Sequence, residues 1–110
     1  MAKNDYFVIV YRILTYLYEM FKAGEKPDIE MFSPDALGIN NGYWTNIMES
    51  MLEEGYIKGI TMVSRLGGAP GVKISDIKIT PKGIEYLQEN STMQKAKNFL
   101  KEVKDIIPGF

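Results

Sequence analysis

The chain has 110 residues and contains no cysteine and no histidine. Those two absences together remove thiol nucleophiles, Ser-His-Asp triads and thiolate or imidazole zinc sites. Only oxygen-ligand metal chemistry and carboxylate catalysis remain as enzymatic routes. A chain without cysteine also suits a reducing cytoplasm. Long hydrophobic runs are missing too. Near the N-terminus the longest apolar stretch, Tyr6 to Tyr11, stops at Arg12, and acidic Asp5 precedes it where a signal peptide carries basic residues. The expectation is a cytoplasmic protein with no membrane segment. The length predicts one domain over residues 1–110, large enough to bury roughly two thirds of its unfolded surface without disulfide or metal staples. A hydrophobic content of 45% with 25% charged residues is that of an ordinary globular chain, which argues against wholesale disorder.

Charge is scarce in net terms, at −1, yet unevenly placed. Residues 1–55 hold four basic side chains against nine acidic ones, a net of −5. Residues 56–110 hold nine basic against five acidic, a net of +4. Such segregation arises either from solvated charges on opposite surfaces or from a polyanionic partner for the C-terminal half.

Along the chain no repeat, low-complexity tract or linker is visible. Residues Asn4 to Lys22 predict a helix apolar on two stripes, Tyr6, Val10, Ile13, Leu17 and Phe21 on one and Phe7, Tyr11, Leu14 and Tyr18 on the other, with Gly24 as its stop. A helix apolar nearly all round must be covered on two sides, by its own chain or by a partner. Lys26 to Phe32 predicts a short strand or extended connector. Ser33-Pro34-Asp35 starts a short helix, which Gly38 and the Asn40-Asn41-Gly42 cluster end. Tyr43 to Glu54 predicts a helix burying Trp44, Ile47, Met48, Met51 and Leu52, with Gly55 at its end. Tyr56 to Val63 and Ile74 to Thr80 read as paired strands, joined by a tip rich in glycine from Ser64 to Lys73. Thr80-Pro81 launches a helix with Ile84 and Leu87 inward and Tyr86 flanking them. Ser91 to Gln94 fits a capping box for one more, whose Met93, Ala96, Leu100, Val103 and Ile107 form an apolar seam ending at Pro108-Gly109.

This order is that of an α+β winged helix-turn-helix with a two-stranded wing and an additional C-terminal helix. The winged-helix core occupies 1–90 and the amphipathic helix 91–107. Three stretches carry a family resemblance: Tyr6 to Tyr18, Tyr43-Trp44 through Gly55-Tyr56-Ile57-Lys58-Gly59-Ile60, and Ile79-Thr80-Pro81-Lys82-Gly83-Ile84-Glu85-Tyr86-Leu87. Together they resemble the YjcQ family of small proteins from Gram-positive bacteria and their prophages. The resemblance implies a winged-helix-like fold and a phage-related context, with no established activity and no functional residues to carry over.

In the usual winged-helix mode the helix from Tyr43 to Glu54 enters the major groove of double-stranded DNA and the wing reaches phosphates or the minor groove. Burial of the apolar stripe leaves Thr45, Asn46, Glu49, Ser50 and Glu53 outward. Asn46 suits adenine and Glu49 a cytosine amino group. This helix carries no lysine or arginine, however, and its C-terminal end is acidic, which repels phosphate. The hairpin is basic, with Lys58, Arg65, Lys73 and Lys78. The candidate DNA contacts are therefore Thr45 and Asn46 on the helix and Lys58, Arg65 and Lys73 on the wing. The other reading is a protein-interaction module that does not bind DNA, forming a homodimer through the first and last helices.

Enzymatic motifs fail on inspection. Gly67 to Ile74 has Val72 and Ile74 where a phosphate loop needs glycine and Ser/Thr, and it leads into a strand. Asp76-Ile77-Lys78 resembles part of a nuclease signature, but Glu102-Val103-Lys104 matches equally well. No catalytic residue, cofactor or metal is expected.

Overall fold

In a computed structural model that describes residues 5–64, 68 and 70–90, helix α1 spans Tyr6–Ala23 and buries Ile9, Val10, Ile13, Leu14 and Leu17. Their spacing of one and three residues keeps them on a single face. The two stripes expected from the sequence are thus only partly inside. Phe7 and Phe21, the ends of the outer rows, are 54% and 50% exposed. Gly24 closes the helix in the left-handed conformation, its N–H and that of Glu25 returning to the carbonyls of Phe21 and Met20.

The expected strand or connector at Lys26 to Phe32 is instead a 3-10 turn over Ile29–Phe32. The Asp28 carboxylate accepts from the Glu30 amide at 3.0 Å and sets the turn. Alternation of Ile29 and Met31 did not signal burial, for both are exposed, and Phe32 is the residue that enters the core. Two flanking helices staple this turn. The Tyr16 hydroxyl accepts from the Asp28 amide at 2.8 Å, and the Trp44 indole N–H donates to the Phe32 carbonyl at 2.8 Å.

Helix α2, Pro34–Leu37, starts as its sequence predicts: Ser33 Oγ accepts from the Ala36 amide at 3.1 Å. Helix α3 spans Asn41–Glu53 and begins two residues before the expected start. The asparagine-glycine cluster read as a turn is the helix start itself, with the Asn40 side chain accepting from the Tyr43 amide at 2.8 Å. Ile47, Met48 and Met51 are fully buried, while Trp44 and Leu52 only flank the core.

Strands β1, Ile57–Val63, and β2, Gly71–Ile79, form an antiparallel two-stranded wing, β2 starting three residues earlier than expected. The last helix among the described residues, α4, runs over 81–90. Its cap is double: Thr80 Oγ1 accepts from the Gly83 amide at 3.0 Å and donates to the Gly55 carbonyl at 2.5 Å. The Thr80 amide also donates to the Tyr56 carbonyl at 2.9 Å. A β-carbon at Gly83 would lie 2.4 Å from that same carbonyl oxygen, so only glycine lets α4 approach the start of the wing. Among the described residues the fold is α+β: four helices and the wing in the order of a winged helix-turn-helix. The C-terminal amphipathic helix expected at 91–107 lies outside the described residues.

One core joins all these elements. Ile9, Ile13, Leu14, Phe32, Ile47, Met51, Ile57, Ile79 and Leu87 belong to a single buried cluster, each such side chain contributing roughly 1.5–3 kcal/mol of transfer free energy.

Gly59 is the backbone position on which the wing turns. Its φ is +85°, and a β-carbon there would fall 1.9 Å from the Asp76 carbonyl oxygen. Gly24, at φ +69°, has open space around it. Gly24→Ala is therefore expected to cost only the left-handed penalty, about 1–2 kcal/mol. Gly59→Ala should add a steric cost of a further ~1–3 kcal/mol. Urea unfolding of the two variants side by side measures the difference, and equal stabilities would refute the close approach.

Candidate nucleic-acid interface

The wing pairs in two blocks. From Ile60 to Val63, β1 faces Ile74 to Gly71 in regular register, while Ile57 and Lys58 face Ile79 and Lys78. One residue, Gly59, separates the blocks on β1, and three, Ser75 to Ile77, separate them on β2. The two extra residues form a bulge on β2. Ser75 Oγ donates to the Gly59 carbonyl at 2.9 Å across the bulge.

The bulge changes which charges meet. Had the outer register continued, Lys58 would face Asp76, an attractive cross-strand pair. The alternation resets at Gly59, Ile57 and Ile60 both being buried, and the shift places Lys58 opposite Lys78. Both are exposed, as is Lys73, which faces Thr61 farther along the ribbon. Lys78 retains only a 3.7 Å contact to Asp76 between half-exposed side chains, worth little in water. Like charges directly opposite one another cost stability, and here they form the base of a basic ribbon. Among the candidate contacts, Lys58 and Lys73 are thus brought onto the exposed side of the wing. Arg65 lies outside the described residues. Lys78, placed by the sequence in the basic hairpin but not among the candidate contacts, belongs with them. The signal for it was glycine inside a strand rich in β-branched residues, a usual mark of a bulge.

Helix α3 offers a different surface. Asn46 is exposed and Thr45 half-buried on its outer side, close to the helix start. Glu53 and Glu54 are exposed at its C-terminal end. Ser50, expected to point outward, instead shares a 2.6 Å hydrogen bond with the Tyr6 hydroxyl and ties α3 to α1. Around this tie lies a group of tyrosines. Tyr56 and Tyr86 stack at 4.7 Å between ring centroids with a 37° tilt. Burial first, then the Asp5 carboxylate and Tyr6, raises the Tyr43 hydroxyl above the usual tyrosine value. Burial and then Glu54 raise Tyr56, and burial and then Tyr56 raise Tyr86. This side of the molecule is aromatic and acidic, and the wing is basic.

Two outcomes follow from this geometry. Lys58→Glu should replace repulsion by attraction to Lys78 and raise stability by roughly 0.2–1 kcal/mol; a loss of stability in urea unfolding would contradict the register. The raised tyrosines bind their protons more tightly in the folded chain than in the unfolded one. Their contribution is complete below pH about 10, the ordinary tyrosine value, and is lost as pH rises through the folded values. The urea midpoint should fall above pH about 10, and fall less in Tyr86→Phe.

A family model described as YjcQ protein matches residues 11–106, most of the chain. No curated protein and no solved structure gives a significant match. The stretches that carried the resemblance are the ones that build the fold: the α1 face, the turn from Gly55 into β1, and the Thr80 to Gly83 cap that seats α4. On the family match, which spans α2, α3, the wing and α4 together, the chain belongs to the YjcQ family.

Proposed function

We propose that this protein binds double-stranded DNA through its wing and acts as a non-enzymatic, regulatory protein of phage or prophage type in the cytoplasm. The observation that carries the proposal is the Lys58 and Lys78 pair. A ribbon that gives up an attractive Lys58 to Asp76 register for two opposed lysines holds a local positive potential that a phosphate relieves. Lys73 extends the same charge along the exposed side, and the sequence places Arg65 in the segment joining the two strands. Phosphate contacts position a protein on the duplex and base contacts specify the sequence. In this division Lys58, Arg65 and Lys73 supply affinity, while Asn46 and Thr45 at the start of α3 supply whatever base discrimination there is. The acidic C-terminal end of α3 keeps that helix from lying deep along a groove. Its start is the part that approaches.

Exposed Phe7 and Phe21 on α1 favour a second reading, a homodimer formed through the first and last helices. Sedimentation of a monomer well above micromolar concentration would remove it.

Titration against random duplex DNA at low and moderate salt tests the first proposal. Affinity should fall steeply with salt. Replacing Lys58, Arg65 and Lys73 together by alanine should lower the slope of log K against log salt by up to about 3, since each phosphate contact contributes ~0.9. Asn46→Ala should leave binding to random DNA unchanged. Failure of the wild-type protein to bind at low salt would overturn the proposal.

A further inference from the structure

A pocket of about 370 Å³ opens between the C-terminal end of α1, the loop after it and the bulge of β2. Its size falls within the range of small-molecule sites. The apolar side is built by Leu17, Met20, Phe21 and Ile77. Phe21 is half exposed and forms part of this wall. The remaining wall is charged, with Glu25 and Lys26 from the loop and Asp76 and Lys78 from the bulge. Those four charges sum to zero, so the pocket does not select a simple anion or a simple cation. Asp76 and Lys78 are already 3.7 Å apart, whereas Glu25 and Lys26 make no ion pair among the described residues. The carbonyl end of α1 adds partial negative charge at Gly24, favouring an ammonium group there.

We propose that this pocket binds a small zwitterion with an apolar side chain, an α-amino acid of the aromatic or branched aliphatic class. Glu25 and the end of α1 receive the ammonium group, Lys26 receives the carboxylate, and the side chain lies on Met20, Phe21 and Ile77. The site does not depend on DNA binding. Because the bulge that forms one wall also seats Lys78 opposite Lys58, an occupant touches the base of the wing.

L-Phenylalanine is the test probe, followed through the backbone amide signals of the full chain by NMR. Saturable shifts are expected at residues 20–26 and 76–78, with a dissociation constant on the order of 1 mM for a ligand of this size. Phenethylamine, which lacks the carboxylate, and 3-phenylpropionate, which lacks the ammonium, should each bind roughly two- to fivefold more weakly, and Lys26→Ala and Glu25→Gln should weaken phenylalanine by the same factor. Both substituted side chains are exposed, so the amide spectrum should otherwise stay that of the wild type. Absence of saturable shifts, shifts centred elsewhere, or equal affinity for all three probes would overturn the proposal.

Discussion

The carbonyl oxygen of Asp76 occupies the space where a side chain at residue 59 would begin. That one contact sets the wing. Because position 59 is glycine in a positive-φ conformation, β2 can fold three residues into the gap that β1 spans with one, and Ile79 rather than Ile77 meets Ile57. Both isoleucines are nevertheless buried, so the bulge adds an apolar anchor to the root of the wing. The cost is electrostatic. Lys58 loses Asp76 as a cross-strand partner and gains Lys78, so two lysines stand opposed at the base of the ribbon.

The root of the wing is also where the helices converge. Gly55 and Tyr56 leave α3 with carbonyls that accept from the Thr80 hydroxyl and amide, and Gly83 allows α4 to rest on Tyr56. Wing, α3 and α4 therefore share one rigid junction, and α1 is fixed to it by Leu14, Leu17 and the Tyr6 to Ser50 hydrogen bond. Charge follows the same division. Glu53, Glu54 and the tyrosines whose hydroxyls are held protonated lie on the α3 and α4 side, and the lysines lie on the ribbon. On the proposed function, a polyanion meets attraction on the ribbon and repulsion on the other side.

Much of this was legible in the residues. Helix caps announced themselves through local chemistry at Ser33, Thr80 and Gly24, because a cap needs only a side chain or a glycine at a fixed offset. The order of elements followed from these caps and from the 3.6-residue spacing of Ile47, Met48 and Met51. What escaped depended on partners distant in the chain. The turn at Ile29–Phe32 is held by Tyr16 and Trp44, so its alternating pattern resembled a strand without being one. Asn41 and Gly42 looked like a turn because glycine is a poor helix residue, yet in a first turn capped by Asn40 that penalty is tolerated. Ser50 looked solvent-facing until Tyr6 reached it. The site was half legible: lysines on a hairpin were plain, but the opposition of Lys58 and Lys78 required a register that only the bulge defines.

Amide shift mapping of the protein with a random DNA duplex at low salt tests the central claim most directly. A wing-led interface predicts the largest changes at Lys58, Thr61, Lys73 and Lys78, with smaller ones at Thr45 and Asn46 and almost none at Glu53 or Tyr86. Changes centred on α3 and α4 with a silent wing, or no changes at all, would contradict it.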